Sequence, residues 1–195
     1  MEGKSIHPLS VVVTGANDES GMSFIYRSLL ANGLSLNEAR HWLRLKSWNT
    51  LRSNDVIALT WVTRVDQAWL SHRTVISLGN QTPRRFGFLA YEFGEGSLNF
   101  THRARLCPIC VKRGKYAKAI WQLRCISACL EHDLILSERC PRCTRVISWD
   151  RPAMDICSCG AFLTAMSDTP NRPPGILNWI NWIEIRVANP VLAAF

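Results

Sequence analysis

The chain has 195 residues, 47% hydrophobic and 19% charged, with a formal net charge of +8. That composition excludes a disordered chain and bounds the fold to one or two small domains with a modest core. The basic excess fits an anionic partner, with nucleic acid first. Eight Trp are many for this length and suggest aromatic packing or partner contacts, core packing being the default.

Residues 1–17 are expected to be irregular, with one short apolar run at 9–13 suited to a strand. The first ten residues hold Lys4, His7 and Pro8 and no apolar stretch of a secretion signal. A cytoplasmic, reducing context is therefore expected. Asp18, Glu19 and Ser20 then precede Met22, Phe24, Ile25, Leu29 and Leu30, which predicts a capped helix ending at Asn32-Gly33. Ser35 with Glu38 three residues on forms a capping box for a second helix burying Leu36, Ala39 and Leu43. Ser53 or Asn54 caps a third helix carrying Val56, Ile57, Leu59 and Trp61, and a fourth runs from Arg64 through Leu70. The last two have helix-turn-helix size, with Arg64, His72 and Arg73 as the nearest phosphate contacts; most such pairs are simply core. Residues 77–104 are rich in Gly and read as a linker with local strands. Arg84-Arg85-Phe86 and His102-Arg103-Ala104-Arg105 place basic groups beside aromatics there, a mixture that suits nucleic-acid backbone or a wet linker equally well.

The next segment carries the most specific signal. Cys107-Pro108-Ile109-Cys110 with Cys129-Leu130-Glu131-His132, and Cys140-Pro141-Arg142-Cys143 with Cys157-Ser158-Cys159, each supply four sulfur or nitrogen donors. That is the demand of a tetrahedral Zn²⁺, so two structural zinc ions per chain are expected. Closed sites leave no position for a catalytic water, and the expectation is a chain that is not an enzyme. Glu131, His132 and Asp133 as acid–base groups form the weakest reading, because His132 is needed as a ligand. Disulfides are the alternative for the cysteines. Spacing alone leaves open a cross-braced pairing of the two sets, with Cys125 or His102 in place of His132. Cys125 is otherwise read as a small buried apolar residue.

The basic excess is concentrated here: residues 101–160 hold 11 basic and 5 acidic side chains. Two dications and seven ionised thiolates lower the net charge of the chain to about +5. Lys112, Arg113, Lys115 and Lys118, with Arg103 and Arg105, are the candidate nucleic-acid contacts; a solvated face is the plain alternative. Residues 146–149 are apolar and fit a zinc-ribbon hairpin. After the Pro-rich break at Pro170, Pro173 and Pro174, polar Asn178, Asn181 and Glu184 interrupt an apolar segment, predicting a C-terminal helix with a thin polar stripe. That interruption argues against a transmembrane span.

These residues resemble the TniQ family, the target-selection proteins of heteromeric bacterial transposons. Asp18 through Arg27, followed by Ala31-Asn32-Gly33-Leu34-Ser35, is similar to the family's opening helix. Leu106-Cys107-Pro108-Ile109-Cys110, Trp121-Gln122-Leu123, Cys129-Leu130-Glu131-His132 and Arg139-Cys140-Pro141-Arg142-Cys143 resemble its cysteine array. Gly21 stands where the family prefers Leu or another helix former, which is expected to loosen the first turn. Cys125 stands where an apolar residue is usual.

The resemblance implies a mainly α fold with small zinc-ribbon β elements. A helix-turn-helix-like domain at 1–76 and a linker at 77–104 precede tandem zinc ribbons at 105–165 and a C-terminal helix or tail at 166–195. It implies a non-catalytic adaptor between a target selector and the AAA+ transposition ATPase. In a chain of this length the selector would be an RNA-guided CRISPR effector, with DNA or guide RNA as nucleic-acid partner and a homodimer compatible. Trp42, Trp48, Trp61 and Trp69 are the candidate anchors for the ATPase, since exposed Trp dominates interface energetics. The alternative is an autonomous helix-turn-helix and zinc-ribbon DNA-binding regulator.

Overall fold

A computed structural model describes residues 6–48, 51–79, 83–98 and 103–165. The expected C-terminal helix and His102 lie outside the described residues. Among the described residues, five α-helices and two small antiparallel sheets make a mixed α/β fold, rather than the mainly α fold expected.

Helix α1 (Gly21–Ala31) begins where Ser20 accepts a hydrogen bond from the Ser23 amide and ends at Asn32, with Gly33 at φ 70°. Phe24, Ile25, Tyr26 and Leu29 are buried, so α1 is the central helix, in contact with α2 (Leu36–Trp42), α3 (Ser53–Thr63) and α4 (Gln67–Arg73). The capping box of Ser35 and Glu38 starts α2 as expected. Arg52, not Ser53 or Asn54, is the N-cap of α3, its amide donating to Asp55. Asp66 caps α4, three residues later in the chain than the sequence suggests. Val56, Leu59 and Val62 form the buried stripe of α3, and the opposite side exposes Ile57 and Trp61.

Gly21 does not loosen the first turn. A Cβ there would lie 2.0 Å from Thr74 Oγ1 and 2.9 Å from the Arg73 carbonyl. Only a residue without a side chain lets the end of α4 approach α1 this closely.

The segment read as a linker contains a three-stranded antiparallel sheet: β1 (Ile76–Ser77), β2 (Arg85–Phe88) and β3 (Tyr91–Gly94), in that order. Phe86 and Phe88 alternate inward from β2. Phe88 pairs with Tyr91, so Leu89 and Ala90 form a two-residue turn, both at positive φ (50° and 65°). The Leu89 amide bonds the His72 carbonyl, tying the turn to α4.

Helix α5 (Pro108–Gly114) opens the cysteine-rich part. A hairpin follows, with β4 (Ala128–Cys129) paired to β5 (Leu134–Ile135). The second cysteine set sits on turns and isolated bridges, Arg139 with Val146 and Ala153 with Ile156, instead of a regular ribbon hairpin. No helix among the described residues is long and apolar enough to cross a membrane.

Candidate metal centres

Cys107 is the N-cap of α5 and Pro108 its first residue, where a missing N–H costs nothing. That places Cys110 in the first turn, beside Cys107. Cys129 ends β4, and His132 sits in the four-residue turn before β5, which Asp133 closes at φ 55°. The four donor atoms lie within 4.8 Å of one another. His132 Nδ1 is 3.5, 3.2 and 3.6 Å from the sulfurs of Cys107, Cys110 and Cys129, and the Cys110 and Cys129 sulfurs are 3.6 Å apart.

The second set is built from two tight turns. Thr144, at φ 58°, returns its amide to the Cys140 carbonyl at 3.0 Å. Gly160, at φ 81°, returns its own to the Cys157 carbonyl at 2.8 Å. Cys140 and Cys159 sulfurs are 3.7 Å apart, and those of Cys143 and Cys157 are 3.8 Å apart. Both sets are also within 4.8 Å internally.

These distances decide between the readings of the cysteines. A disulfide requires about 2.05 Å. A tetrahedral ion with metal–sulfur bonds of about 2.3 Å requires sulfur–sulfur edges of about 3.8 Å. The observed separations match the edges, so each set could hold one metal ion. The sets pair sequentially and are not cross-braced. Cys125 belongs to neither. It is also exposed, not buried as its apolar character suggested, because it lies in the turn that follows the short helical turn Ala119–Gln122.

The thiols are electrostatically unequal. Contacts from Cys110 and Cys129 hold Cys107 far below its ordinary value, near 3, and the same sharing pushes Cys110 upward. The Arg145 side chain and amide lower Cys143 to about 6, whereas burial raises Cys157 to about 11.

The helices are joined to both centres. Asp18, Glu19 and Ser20 pair with residues 117–119: Ser20 N donates to the Ala117 carbonyl, and Ala119 N to that of Asp18. Lys118 bonds Asp18 Oδ2 at 2.9 Å and also reaches Glu131, next to His132. Burial alone would lower the Lys118 ammonium, but its bonds to Glu131 and Asp18 outweigh this and raise it. Glu19, fully buried, takes a bidentate bond from Arg27 at 2.8 and 2.6 Å and one from Ser23 Oγ. Sequence reasoning passed over these roles of Glu19 and Lys118.

Near the second centre, Arg151 is buried between Tyr26 and Trp149, its guanidinium carbon 5.4 and 5.1 Å from their ring centres. Burial lowers it to about 10 and raises the Tyr26 phenol to about 12.

The sequence model of the TniQ family matches residues 11–136, well over half of the chain. The chain belongs to the TniQ family. The family is associated with transposition. The match takes in α1 and all four donors of the first set. It ends before Cys140, so the second centre lies beyond it, whereas the resemblance read from the sequence extended to about residue 190. No curated protein matches this TniQ chain.

The expected basic run is divided. Lys112 and Arg113 are exposed, and Arg113 Nη1 lies 3.1 Å from His132 Nε2. Lys115 pairs with Asp155, Lys118 with Asp18 and Glu131, and Arg105 with Glu138 at 2.8 Å. Arg103 is exposed. The four candidate Trp do not form one surface. Trp42 packs on the core, Trp48 donates to the Leu36 carbonyl, and Trp69 sits edge-on to Phe24 with Arg73 over its ring. Trp61 is 62% exposed.

Proposed function

We propose that this TniQ chain is a non-catalytic transposition adaptor whose two metals are structural Zn²⁺. The observation that carries this reading is the closure of both ligand sets. Cys107, Cys110, Cys129 and His132 would hold one ion, and Cys140, Cys143, Cys157 and Cys159 the other. Four protein donors per ion leave no site for an activated water, and soft thiolate ligands favour zinc. When bound, the ions supply folding energy, which the bonds of residues 18–20 and Tyr26 pass on to the helices.

An adaptor acts through surfaces. Trp61 and Ile57, one turn apart on the outer side of α3, are 62% and 48% exposed and supply the anchor for an AAA+ transposition ATPase. Trp42, Trp48 and Trp69 are engaged in packing within the fold instead. Arg103, Lys112 and Arg113 face a nucleic acid, DNA or a guide RNA, held by a target selector such as an RNA-guided CRISPR effector. Arg105, Lys115 and Lys118 orient the segment that carries them. With Nδ1 of His132 on a metal, Nε2 keeps the ring proton, so Arg113 has no acceptor there and its guanidinium turns to another. The setting is the bacterial cytoplasm, and a homodimer is compatible with the exposed α3 face. An autonomous helix-turn-helix regulator gains less support, since Arg73 is held by the Asn17 carbonyl and by Trp69.

The test is capture of the cognate AAA+ ATPase by the full chain and by Trp61→Ala. The reading expects capture by the former and at least a tenfold weaker affinity, about 1.4 kcal/mol, for the latter. No capture by the intact chain refutes the adaptor; equal capture refutes the α3 face.

A further inference from the structure

The turn that carries Cys140 and Cys143 also carries Arg139, Arg142 and Arg145, three arginines within seven residues, all exposed. Backbone geometry gathers them. Arg139 is bridged to Val146, the Cys140 amide bonds the Arg145 carbonyl, and Thr144 turns the chain at φ 58° between them. Arg142 stands at the tip. The carboxylate next to the turn in sequence, Glu138, is already engaged by Arg105. Among the described residues, no ion pair joins any of the three arginines to a carboxylate.

We infer that this arginine turn is a phosphate-contact edge for duplex DNA, additional to Lys112 and Arg113. It rests on the transposition reading only for the choice of duplex DNA as the polyanion. It is not carried over from the family match, which ends at residue 136. The competing role for the arginines is internal. Four thiolates around one dication leave excess negative charge, and Arg145 answers part of it at Cys143. Arg139 gives one N–H to the Thr144 carbonyl at 3.0 Å, which leaves most of its five donors unused. The Arg142 side chain touches neither a sulfur nor a carboxylate among the described residues; only its amide meets the Cys140 sulfur. Guanidinium is the side chain best matched to phosphate oxygens, through its planar fork.

The test uses the full chain, a random-sequence duplex and a salt titration, with metal content measured on the same samples. The principal variant is R139Q/R142Q, which leaves Arg145 on its cysteine. Each phosphate contact contributes about 0.9 to the slope of log affinity against log salt, so the double variant should lower the slope by about 2. Its metal content should stay at the wild-type value, and R139K/R142K should restore the slope. An unchanged slope overturns the inference. So does a loss of binding that accompanies loss of metal, which assigns the arginines to the centre itself. Tighter binding to structured RNA than to duplex overturns the choice of DNA. Failure of the intact chain to bind duplex overturns this inference and leaves ATPase capture, measured separately, untouched.

Discussion

The Tyr26 hydroxyl in α1 donates to the carbonyl of Arg151, 125 residues away, at 2.6 Å. The Arg151 guanidinium covers the same phenol ring, and Trp149 meets it edge-on at 6.0 Å. Helix α1 is thus bonded to the loop between the two halves of the second metal centre, as residues 18–20 bond it to the approach to the first.

Tyr26→Phe keeps the ring and leaves the Arg151 carbonyl without its donor. Leaving a buried acceptor unsatisfied costs about 1–3 kcal/mol. The expected result is a lower urea midpoint with an unchanged slope, and faster loss of metal from the second centre to a chelator.

Gly21→Ala should destabilise although Ala is the better helix former. The new methyl would meet Thr74 Oγ1 and the Arg73 carbonyl, and the second is backbone that cannot rotate away. Overpacking of this kind costs roughly 1–3 kcal/mol, more than the helix propensity Ala gains. Chemical denaturation checks the sign; a stabilised variant contradicts the packing described.

The grouping of the eight donors into two sets of four was legible in the sequence because a tetrahedral site constrains both residue type and spacing, and Cys-Pro-x-Cys repeats both. Ser20, Ser35 and Glu38 were legible because capping is a local interaction. The sheet was largely hidden. Its strands are two to four residues long, Gly87 and Gly94 interrupt them, and the turn lacks the Asn-Gly signal. Leu89 and Ala90 occupy left-handed positions there because burial of Leu89 and its amide bond to His72 override local preference. Gly21 and Lys118 were misread or missed for the same reason: each is explained by a partner distant in sequence. Cys125 shows the limit of composition, since an apolar character does not state which side of a turn a residue faces.

Ala90→Gly offers a direct check on that turn. Ala90 is exposed, so the change removes no packing and relieves the left-handed strain. The relief of about 1–2 kcal/mol is partly offset by the greater freedom of Gly in the unfolded chain. A net gain of roughly 0.5–1 kcal/mol is expected from thermal and urea unfolding.

Acid should weaken the join at Asp18. Burial alone would raise this carboxyl, but bonds from Lys118 and Tyr116 leave it below its ordinary 3.8. A depressed folded value means that the contribution is present above 3.8 and is lost as pH falls through the folded value. Metal ligands also take up protons in acid. The readout is therefore the stability difference between wild type and Asp18→Asn. It should be constant above about pH 5 and shrink below the unfolded value. A difference that grows in acid contradicts the pairing.

The most direct measurement is metal analysis combined with X-ray absorption at the metal edge, on protein purified without chelator. The account predicts two zinc ions per chain, with seven sulfurs and one nitrogen shared between them. Cys107→Ser and Cys140→Ser should each remove one ion, and Cys125→Ser none. One ion per chain, iron in place of zinc, or oxygen in the coordination shell would contradict it.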